Sequence, residues 1–337
     1  MAVDAARSEE GFTSARATCV MSAACRAAGL DDRGAELIRL GENALFRLAA
    51  APVIIRVARG EPWLPKARVE VAVARWLAAE RFPASRLVDG LEQPFLIDGH
   101  PVTFWRLIVE GDRKATYGEL GGILRDLHSM RVPAGLGLPA FDPFGKQELR
   151  ISKAPIPDDD RVFLRKRWQE LRGQFEELRL ETPKGPVHGD AHVQNLMVND
   201  RDEVILIDFE AFCFDHPEWD LMVTAVEHHS LGWQTDEQYA DFVRAYGRDL
   251  YDWQGYDTLR RLQEFGMTTW LMRNVQENEQ TAAEYRRRIT GLRNDDAPRD
   301  WRPWFRLHHH SGRHDRRDPP PLRHPQRARR TPPRPLP

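Results

Sequence analysis

The stretch that decides the fold is His188-Gly-Asp-Ala-His-Val-Gln-Asn195, followed by Ile205-Leu-Ile-Asp-Phe-Glu210. Phosphoryl transfer needs a carboxylate that orients an acceptor hydroxyl and takes its proton, together with oxygen ligands that hold Mg²⁺. The first run supplies Asp190 as the candidate base and, five residues later, Asn195 as a candidate metal ligand. Asp208 closes a run of branched apolar residues, so its carboxylate is expected at the end of a strand, facing a cleft.

The spacing of these residues also matches a known pattern. Asp190 and Asn195 are separated as in the kinase catalytic loop H-R-D-L-x-x-x-N, and Asp208-Phe-Glu stands where D-F-G would. With His216-Pro-Glu-Trp-Asp-Leu221 added, the motifs resemble those of the aminoglycoside phosphotransferase family of kinase-like proteins. The resemblance covers most of residues 20–304.

The resemblance implies roles for individual residues. Asp190 corresponds to the catalytic base, Asn195 and Asp208 to the magnesium ligands, and Asp220 to an aspartate that supports the catalytic loop. His188 precedes Gly-Asp, and we expect it to hold the loop by packing and hydrogen bonding rather than to transfer protons.

The resemblance also assigns a nucleotide site in the N-terminal part of the chain. Gly41 and Asn43 lie in the turn that covers the phosphates. The position that usually carries the phosphate-pairing lysine is Arg56, with Glu70 on the next helix as its ion-pair partner. Arginine keeps the charge but not the geometry of lysine, so nucleotide affinity or metal placement is expected to differ. Trp105 lies in the segment against which the nucleotide base is expected to stack.

The order of predicted elements gives an α+β fold of the two-lobed, protein-kinase-like type. We expect a small lobe of sheet and helix over residues 1–103, a hinge over 104–110, and a mostly helical lobe over 111–304. The β-branched run Val53-Ile-Ile-Arg-Val-Ala58 is the strongest strand prediction. In the second lobe, strands are expected at residues 185–188 and 204–208, with a loop between them, and helices at 118–130, 160–180, 219–228, 236–246 and 257–276.

Composition limits the classes of partner. The 337 residues contain 41% hydrophobic residues and carry a net charge of −2. Residues 305–337 hold nine Arg and two acids, so residues 1–304 hold 40 basic and 49 acidic residues, a balance of −9. An acidic body argues against specific nucleic-acid binding and tolerates a cationic acceptor. The Arg- and Pro-rich tail is expected to be disordered, either as a basic arm for an acidic partner or as an out-of-frame extension.

We expect the protein to be cytoplasmic. No window approaches eighteen consecutive apolar residues, and acids stand in the N-terminal segment where a secretory signal needs an apolar run. Cys19, Cys25 and Cys213 form no CxxC pair, so reduced, packed thiols are expected.

Three alternatives remain open at this stage. His188, Asp190 and His192 could form the ligand set of a metallohydrolase, completed by Asp208 and His216. A nucleotide-binding pseudokinase with a regulatory role would follow if Arg56 prevents turnover. An interaction protein would instead act through its basic tail. The acids at positions 210, 215, 218 and 227 could line a site for a cationic substrate or form the solvated start of a helix.

The expected reaction is the transfer of phosphate from ATP or GTP, with Mg²⁺, to a hydroxyl of a small molecule. An aminoglycoside, another amino-alcohol or a sugar is expected as the acceptor, and an antibiotic acceptor would make the protein a resistance enzyme. The sequence selects neither among the acceptors nor between ATP and GTP, and it leaves the oligomeric state open.

Overall fold

A computed structural model describes residues 12–303, except residues 42, 146, 181, 277 and 296. The predicted tail over 305–337 and Glu42 of the predicted phosphate-covering turn therefore lie outside the described residues. The chain divides into two compact units. The first consists of the residues up to Asp142 together with Leu178–Thr224 and Ala240–Tyr256, and the second of Pro143–Glu177, Ala225–Tyr239 and the residues from Asp257 onward.

The N-terminal part of the first unit is a five-stranded antiparallel sheet with helices beside it. Its elements are α1 (Ser14–Ala28), β1 (Glu36–Leu40), β2 (Asn43–Arg47), β3 (Val53–Ala58), a 3-10 turn (Glu61–Trp63), α2 (Leu64–Ala79), β4 (Phe95–Ile97) and β5 (His100–Arg106). The strand order is β1-β2-β3-β5-β4, and every neighbouring pair is antiparallel. The first three residues of the predicted hinge therefore belong to β5, while the predicted lobe boundaries stay a prediction.

Strand β3 separates an apolar face from a polar one. Val53, Ile55 and Val57 are buried in one core cluster with the inner face of α1. Because side chains alternate across a strand, Arg56 points to the opposite face, where it meets Glu70 of α2. The alternation in β3 thus places one cation on the α2 side of an otherwise apolar strand.

The rest of the chain is mostly helical, as the sequence predicts. Its elements are α3 (Tyr117–His128), α4 (Gln147–Lys153), α5 (Asp158–Glu176), β6 (Gly185–Val187), a 3-10 turn (Val193–Asn195), β7 (Leu196–Val198), β8 (Val204–Leu206), β9 (Cys213–Asp215), α6 (Glu218–His229), α7 (Asp236–Tyr246), α8 (Tyr256–Leu271), a 3-10 turn (Met272–Asn274) and α9 (Glu279–Arg293). In the part of the chain that the structure describes, no helix is long and apolar enough to cross a membrane.

Two short antiparallel ribbons position the decisive stretch. β6 pairs with β9, and β7 pairs with β8, so residues 188–195 run from the end of one ribbon to the start of the other. The prediction of an unbroken loop between the strands at 185–188 and 204–208 is wrong, because residues 196–198 form β7 and close a hairpin with β8. Strands of three residues are too short to give a periodic signal in the sequence.

The second unit has a polar interior. Glu264 of α8 is 1% exposed and pairs with Arg260 at 2.8 Å and Arg299 at 3.1 Å. Glu284 of α9, also 1% exposed, pairs with Arg288 at 2.9 Å. These paired charges hold the segment that follows α9 against the helices of this unit.

Candidate active site

The loop that follows β6 depends on a glycine. Gly189 has φ +81°, and a Cβ built on it would lie 2.2 Å from the carbonyl oxygen of Ala211. Side chains rarely adopt this backbone conformation, and no larger residue fits so close to another backbone. Gly189 therefore allows the backbone of the loop to approach the backbone of Ala211 closely.

Asp220 supports the same loop from α6. Its two oxygens accept hydrogen bonds from the backbone amides of His188 and Gly189, both at 2.8 Å. Nε2 of His128, on α3, lies 2.9 Å from the same carboxylate, and Asp220 is fully buried. A carboxylate that accepts two backbone amides fixes the direction of the loop, which is the geometry that a supporting role requires.

His188 is an internal residue. Its side chain is fully buried, and Nε2 lies 2.9 Å from the carbonyl oxygen of Ile207. The ring also packs against Phe209 and Phe212, with centroids 6.4 and 6.3 Å away. This placement links the loop to the segment that carries Asp208, and the loop-supporting role of His188 stays a prediction.

Asp190 is the exposed carboxylate of the loop. Its side chain is 58% exposed, with Oδ2 3.4 Å from Nε2 of His192 and 3.3 Å from Nδ2 of Asn195. Partial loss of hydration acts to raise the pKa of Asp190, but the hydrogen bonds and the neighbouring histidines outweigh it and hold the pKa below its ordinary value. The carboxylate is therefore ionised at neutral pH and able to accept a proton.

Asn195 and Asp208 are joined through the backbone. The amide of Ile207 donates to the carbonyl of Asn195 at 3.0 Å, which brings Asp208 beside the loop. Asp208 lies two residues beyond the end of β8, rather than closing the strand, and its φ of +65° is unusual for a residue with a side chain. Such backbone strain persists where the surroundings hold it in place and is common at functional sites.

The oxygen atoms of Asn195 and Asp208 are suitable ligands for a magnesium ion. Nδ2 of Asn195 donates to the carbonyl of Asp190 at 2.8 Å, and among the described residues its amide oxygen has no hydrogen-bond donor. The side chain of Asp208 is 35% exposed. An available amide oxygen and a partly exposed carboxylate are hard oxygen ligands of the kind that Mg²⁺ prefers.

Arg56 joins the sheet to this segment. NH1 lies 2.6 Å from Glu70, NH2 lies 3.3 Å from Asp208, and NH2 also bonds Glu210. Burial raises the pKa of Glu70 to about 8, and the neighbouring Glu210 and Asp208 add to the rise while Arg56 opposes it. One guanidinium thus binds three acidic side chains, and oxygens of all three lie within 4.8 Å of one another.

The turn between β1 and β2 is tied to the same cluster. Nδ2 of Asn43 donates to Glu210, the residue that also binds Arg56. The carbonyl of Gly41 accepts two hydrogen bonds from Arg59, at 3.0 and 2.7 Å. The sequence assigns no role to Arg59 and suggests Glu210 only as part of a site for a cationic substrate, because no local pattern shows which distant group each of them contacts.

Trp105 lies on β5, opposite Ile54 of β3. Its side chain is 9% exposed, its indole nitrogen donates to Thr103 at 2.8 Å, and its ring centroid lies 6.1 Å from that of Phe209. This is the packing of a core residue, and the stacking of a nucleotide base on Trp105 stays a prediction.

The ligand set of a metallohydrolase does not match the structure. His216 is bound to the carbonyl of Thr182 at 2.5 Å, and within the described ranges the only cluster of His, Cys, Asp or Glu side chains close enough to share a metal is Glu70, Asp208 and Glu210. The predicted ligand set of a metallohydrolase is therefore not assembled.

The acids after Asp208 are not the solvated start of a helix. Glu218 is fully buried and pairs with Arg248 at 2.8 Å. Asp215 is buried and accepts the amide of Phe141 at 3.2 Å. Both carboxylates serve internal contacts within the first unit.

Comparison with known proteins agrees with this geometry. The model of the phosphotransferase enzyme family matches residues 39–262. No curated protein matches the chain in sequence. Among solved structures, an amicoumacin kinase in complex with AMP-PNP and Ca²⁺ is similar with a TM-score of 0.65 and 14% identity, covering 86% of this chain and 97% of that one.

Two further structures have the same fold. A choline/ethanolamine kinase family protein from Mesorhizobium loti has a TM-score of 0.57 and 17% identity, covering 85% of this chain and 96% of that one. A spectinomycin phosphotransferase in complex with ADP and spectinomycin has a TM-score of 0.55 and 13% identity, covering 80% and 92%. The predicted kinase-like α+β fold is confirmed. Since the family model spans well over half of the chain, this protein belongs to the phosphotransferase enzyme family.

Proposed function

We propose that the protein transfers the γ-phosphate of ATP or GTP to a hydroxyl group of a small molecule. The observation that carries this proposal is the loop from His188 to Asn195, in which an exposed, ionised Asp190 is hydrogen-bonded to Asn195 while Asp220 fixes the backbone beneath it. Phosphoryl transfer asks a protein mainly for positioning and for charge neutralisation, and this loop supplies a positioned carboxylate.

Asp190 is the proposed catalytic base. Its carboxylate accepts a hydrogen bond from the acceptor hydroxyl and orients the oxygen toward phosphorus. The proton passes to Asp190 as the oxygen–phosphorus bond forms and the bond to the leaving diphosphate breaks. The lowered pKa keeps Asp190 ready to accept, and its exposure gives the acceptor access.

Asn195 and Asp208 are the proposed ligands of Mg²⁺. When bound, the ion neutralises the phosphate charge that develops during transfer. Asn195 contributes its amide oxygen and Asp208 its partly exposed carboxylate, and both are kept in place by the backbone bond through Ile207.

The nucleotide is proposed to bind along β3 and the turn before β2. Arg56 pairs with Glu70 and faces the segment of Asp208, so its charge is directed to where the phosphates must lie. Gly41 and Asn43 belong to the covering turn, and Trp105 belongs to the proposed base site.

The proposed class of acceptor rests on the charge of the protein and on the substrates named for similar structures. The negative balance of residues 1–304 suits an acceptor with amino groups. The similar structures include an amicoumacin kinase, a spectinomycin phosphotransferase and a choline/ethanolamine kinase family protein, and these names set the compounds to try first. A small-molecule acceptor and a cytoplasmic location are parts of this proposal.

The test is an acceptor screen on the purified protein with ATP or GTP and Mg²⁺, read as release of nucleoside diphosphate. The panel contains aminoglycosides, amicoumacin, spectinomycin, choline, ethanolamine and sugars. Asp190→Ala should lower acceptor-dependent release by about 10²–10⁴-fold, the usual contribution of a general base. Asp112→Ala removes an exposed acid outside the proposed site and should leave release unchanged.

Each outcome has a distinct meaning. Acceptor-dependent release that requires Asp190 supports the proposal and identifies the substrate class. Full release by Asp190→Ala would show that the base is assigned to the wrong residue. Nucleotide binding without transfer to any acceptor, persisting in Arg56→Lys, would favour the regulatory pseudokinase instead.

A further inference from the structure

The charge of Arg56 is already engaged within the protein. Its guanidinium bonds Glu70, Asp208 and Glu210, so three carboxylates surround one cation. A triphosphate that approaches Arg56 must compete with these acids for the same donors. Arg56 is therefore poorly suited to be the sole side chain that neutralises a phosphate group.

A second cation lines the same cavity. A cavity of about 10 Å³ lies between β3 and α2, and its wall includes Arg56, Glu70, Asn43, Glu210 and Lys66. Lys66 precedes Glu70 by four residues on α2, so the two side chains share one face of the helix, one turn apart. Glu70 meets Arg56, and Lys66 lies one turn closer to the start of α2.

The ammonium of Lys66 contacts an aromatic ring rather than a carboxylate. Within the described part of the chain no carboxylate forms an ion pair with it, and the nitrogen lies 4.9 Å from the ring centroid of Trp63. A cation in the first turn of a helix also opposes the helix dipole. Lys66 thus carries a positive charge that is held by no ion pair among the described residues, at a place where it opposes the helix dipole.

We propose, building on the phosphotransferase function above, that Lys66 binds the phosphate groups of the nucleoside triphosphate. Arg56 then organises the three carboxylates, while Lys66 supplies the mobile positive charge. Lysine suits this task because its long stem lets the ammonium move from the Trp63 ring to a phosphate oxygen. A charge-assisted bond to phosphate is stronger than a partly exposed contact with an aromatic ring.

The position of the turn between β1 and β2 supports this placement. Asn43, the first residue of β2, pairs with Ala58 at the end of β3, and both line the cavity beside Lys66. Arg59 holds the carbonyl of Gly41 by two hydrogen bonds, so the turn is fixed next to the same cavity. Lys66 and Asn43, which ends the phosphate-covering turn, therefore line the same cavity.

The test compares ligands that share adenosine and differ only in the number of phosphate groups. Dissociation constants for ATP, ADP and adenosine are measured by calorimetry, with Mg²⁺ and at fixed ionic strength, for the wild type, Lys66→Met and Lys66→Arg. Arg68→Met is the matched control, because Arg68 is an exposed cation two residues along the same helix. We expect Lys66→Met to weaken ATP and ADP binding about tenfold or more, the loss of one charge-assisted bond.

The same variant should leave adenosine binding unchanged, and Lys66→Arg should recover most of the ATP affinity. ATP binding by Lys66→Met equal to that of the wild type and of Arg68→Met would overturn the inference and leave the proposed function intact. Equal weakening of ATP and adenosine would also overturn it, because the loss would then be structural. A wild-type protein that binds neither ATP nor GTP would refute the proposed function itself.

Discussion

Replacement of Asp220 by asparagine should weaken both the fold and the catalytic loop. Asp220 is fully buried and accepts the amides of His188 and Gly189, with His128 at 2.9 Å from the same carboxylate. Asparagine keeps the size of the side chain, but it turns one acceptor atom into a donor that faces another donor. At least one buried hydrogen bond to a charged group is lost and one buried amide is left without a partner.

The magnitude follows from these contacts. A hydrogen bond to a charged group is worth about 1.5–3 kcal/mol, and an unsatisfied buried donor costs about 1–3 kcal/mol. Since the two effects overlap, we expect a loss of about 2–4 kcal/mol for Asp220→Asn. With about 2.1 cal/mol/K of unfolding entropy per residue, a chain of 337 residues loses about 1.4 °C per kcal/mol, so Tm should fall by roughly 3–6 °C.

The assay is thermal unfolding followed by circular dichroism, with Asp126→Asn as the control. Asp126 lies on α3, two residues from His128, and its side chain is 60% exposed, so its replacement should change stability by less than about 0.5 kcal/mol. Equal melting temperatures for Asp220→Asn and Asp126→Asn would refute the reasoning, because they would show that the buried carboxylate does not hold the loop. Acceptor-dependent release of nucleoside diphosphate, once found, should fall in Asp220→Asn and not in Asp126→Asn.

Two other predictions concern local structure. Gly189→Ala should destabilise the protein by more than about 2 kcal/mol in urea unfolding, since both the positive φ and the facing carbonyl oxygen oppose a Cβ. Gly99→Ala, with φ +78° and nothing within 4 Å of the added Cβ, should cost clearly less, and an equal cost would show that the close approach at Gly189 is not important. A thiol reagent at pH 8 should label Cys19 alone in the native protein, because Cys25 and Cys213 are buried and burial raises the pKa of Cys25 to about 11 and that of Cys213 still further. Three labelled thiols in denaturant provide the control, and rapid native labelling of two would contradict the burial.

Some helices escaped sequence analysis for a physical reason. α9 is rich in charge, and its buried face includes Glu284 and Arg288, so paired ions occupy positions where a periodic pattern shows apolar residues. α4 follows a Pro- and Gly-rich segment. It has only seven residues, so the helix is too short to show a clear hydrophobic period. Strand β3 was predictable because Val, Ile, Ile and Val make up four of its six residues, and β-branched residues favour strands.

The sequence by itself identified the residues of the candidate site. Asp190 and Asn195 are five residues apart on one loop, and such local spacing is visible without a structure. Composition and periodicity also determined the α+β class, because they depend on neighbouring residues.

Only the tertiary structure decided the electrostatics. Arg56 meets Asp208 and Glu210 across 152 and 154 residues of chain, and His128 meets Asp220 across 92. Contacts between such distant segments depend on how sheets and helices bring their backbones together, and no local pattern encodes that approach. The sequence therefore identified Arg56 as a departure from the family pattern, and the fold showed that its charge is held by three carboxylates while Lys66 stands beside it without an ion pair among the described residues.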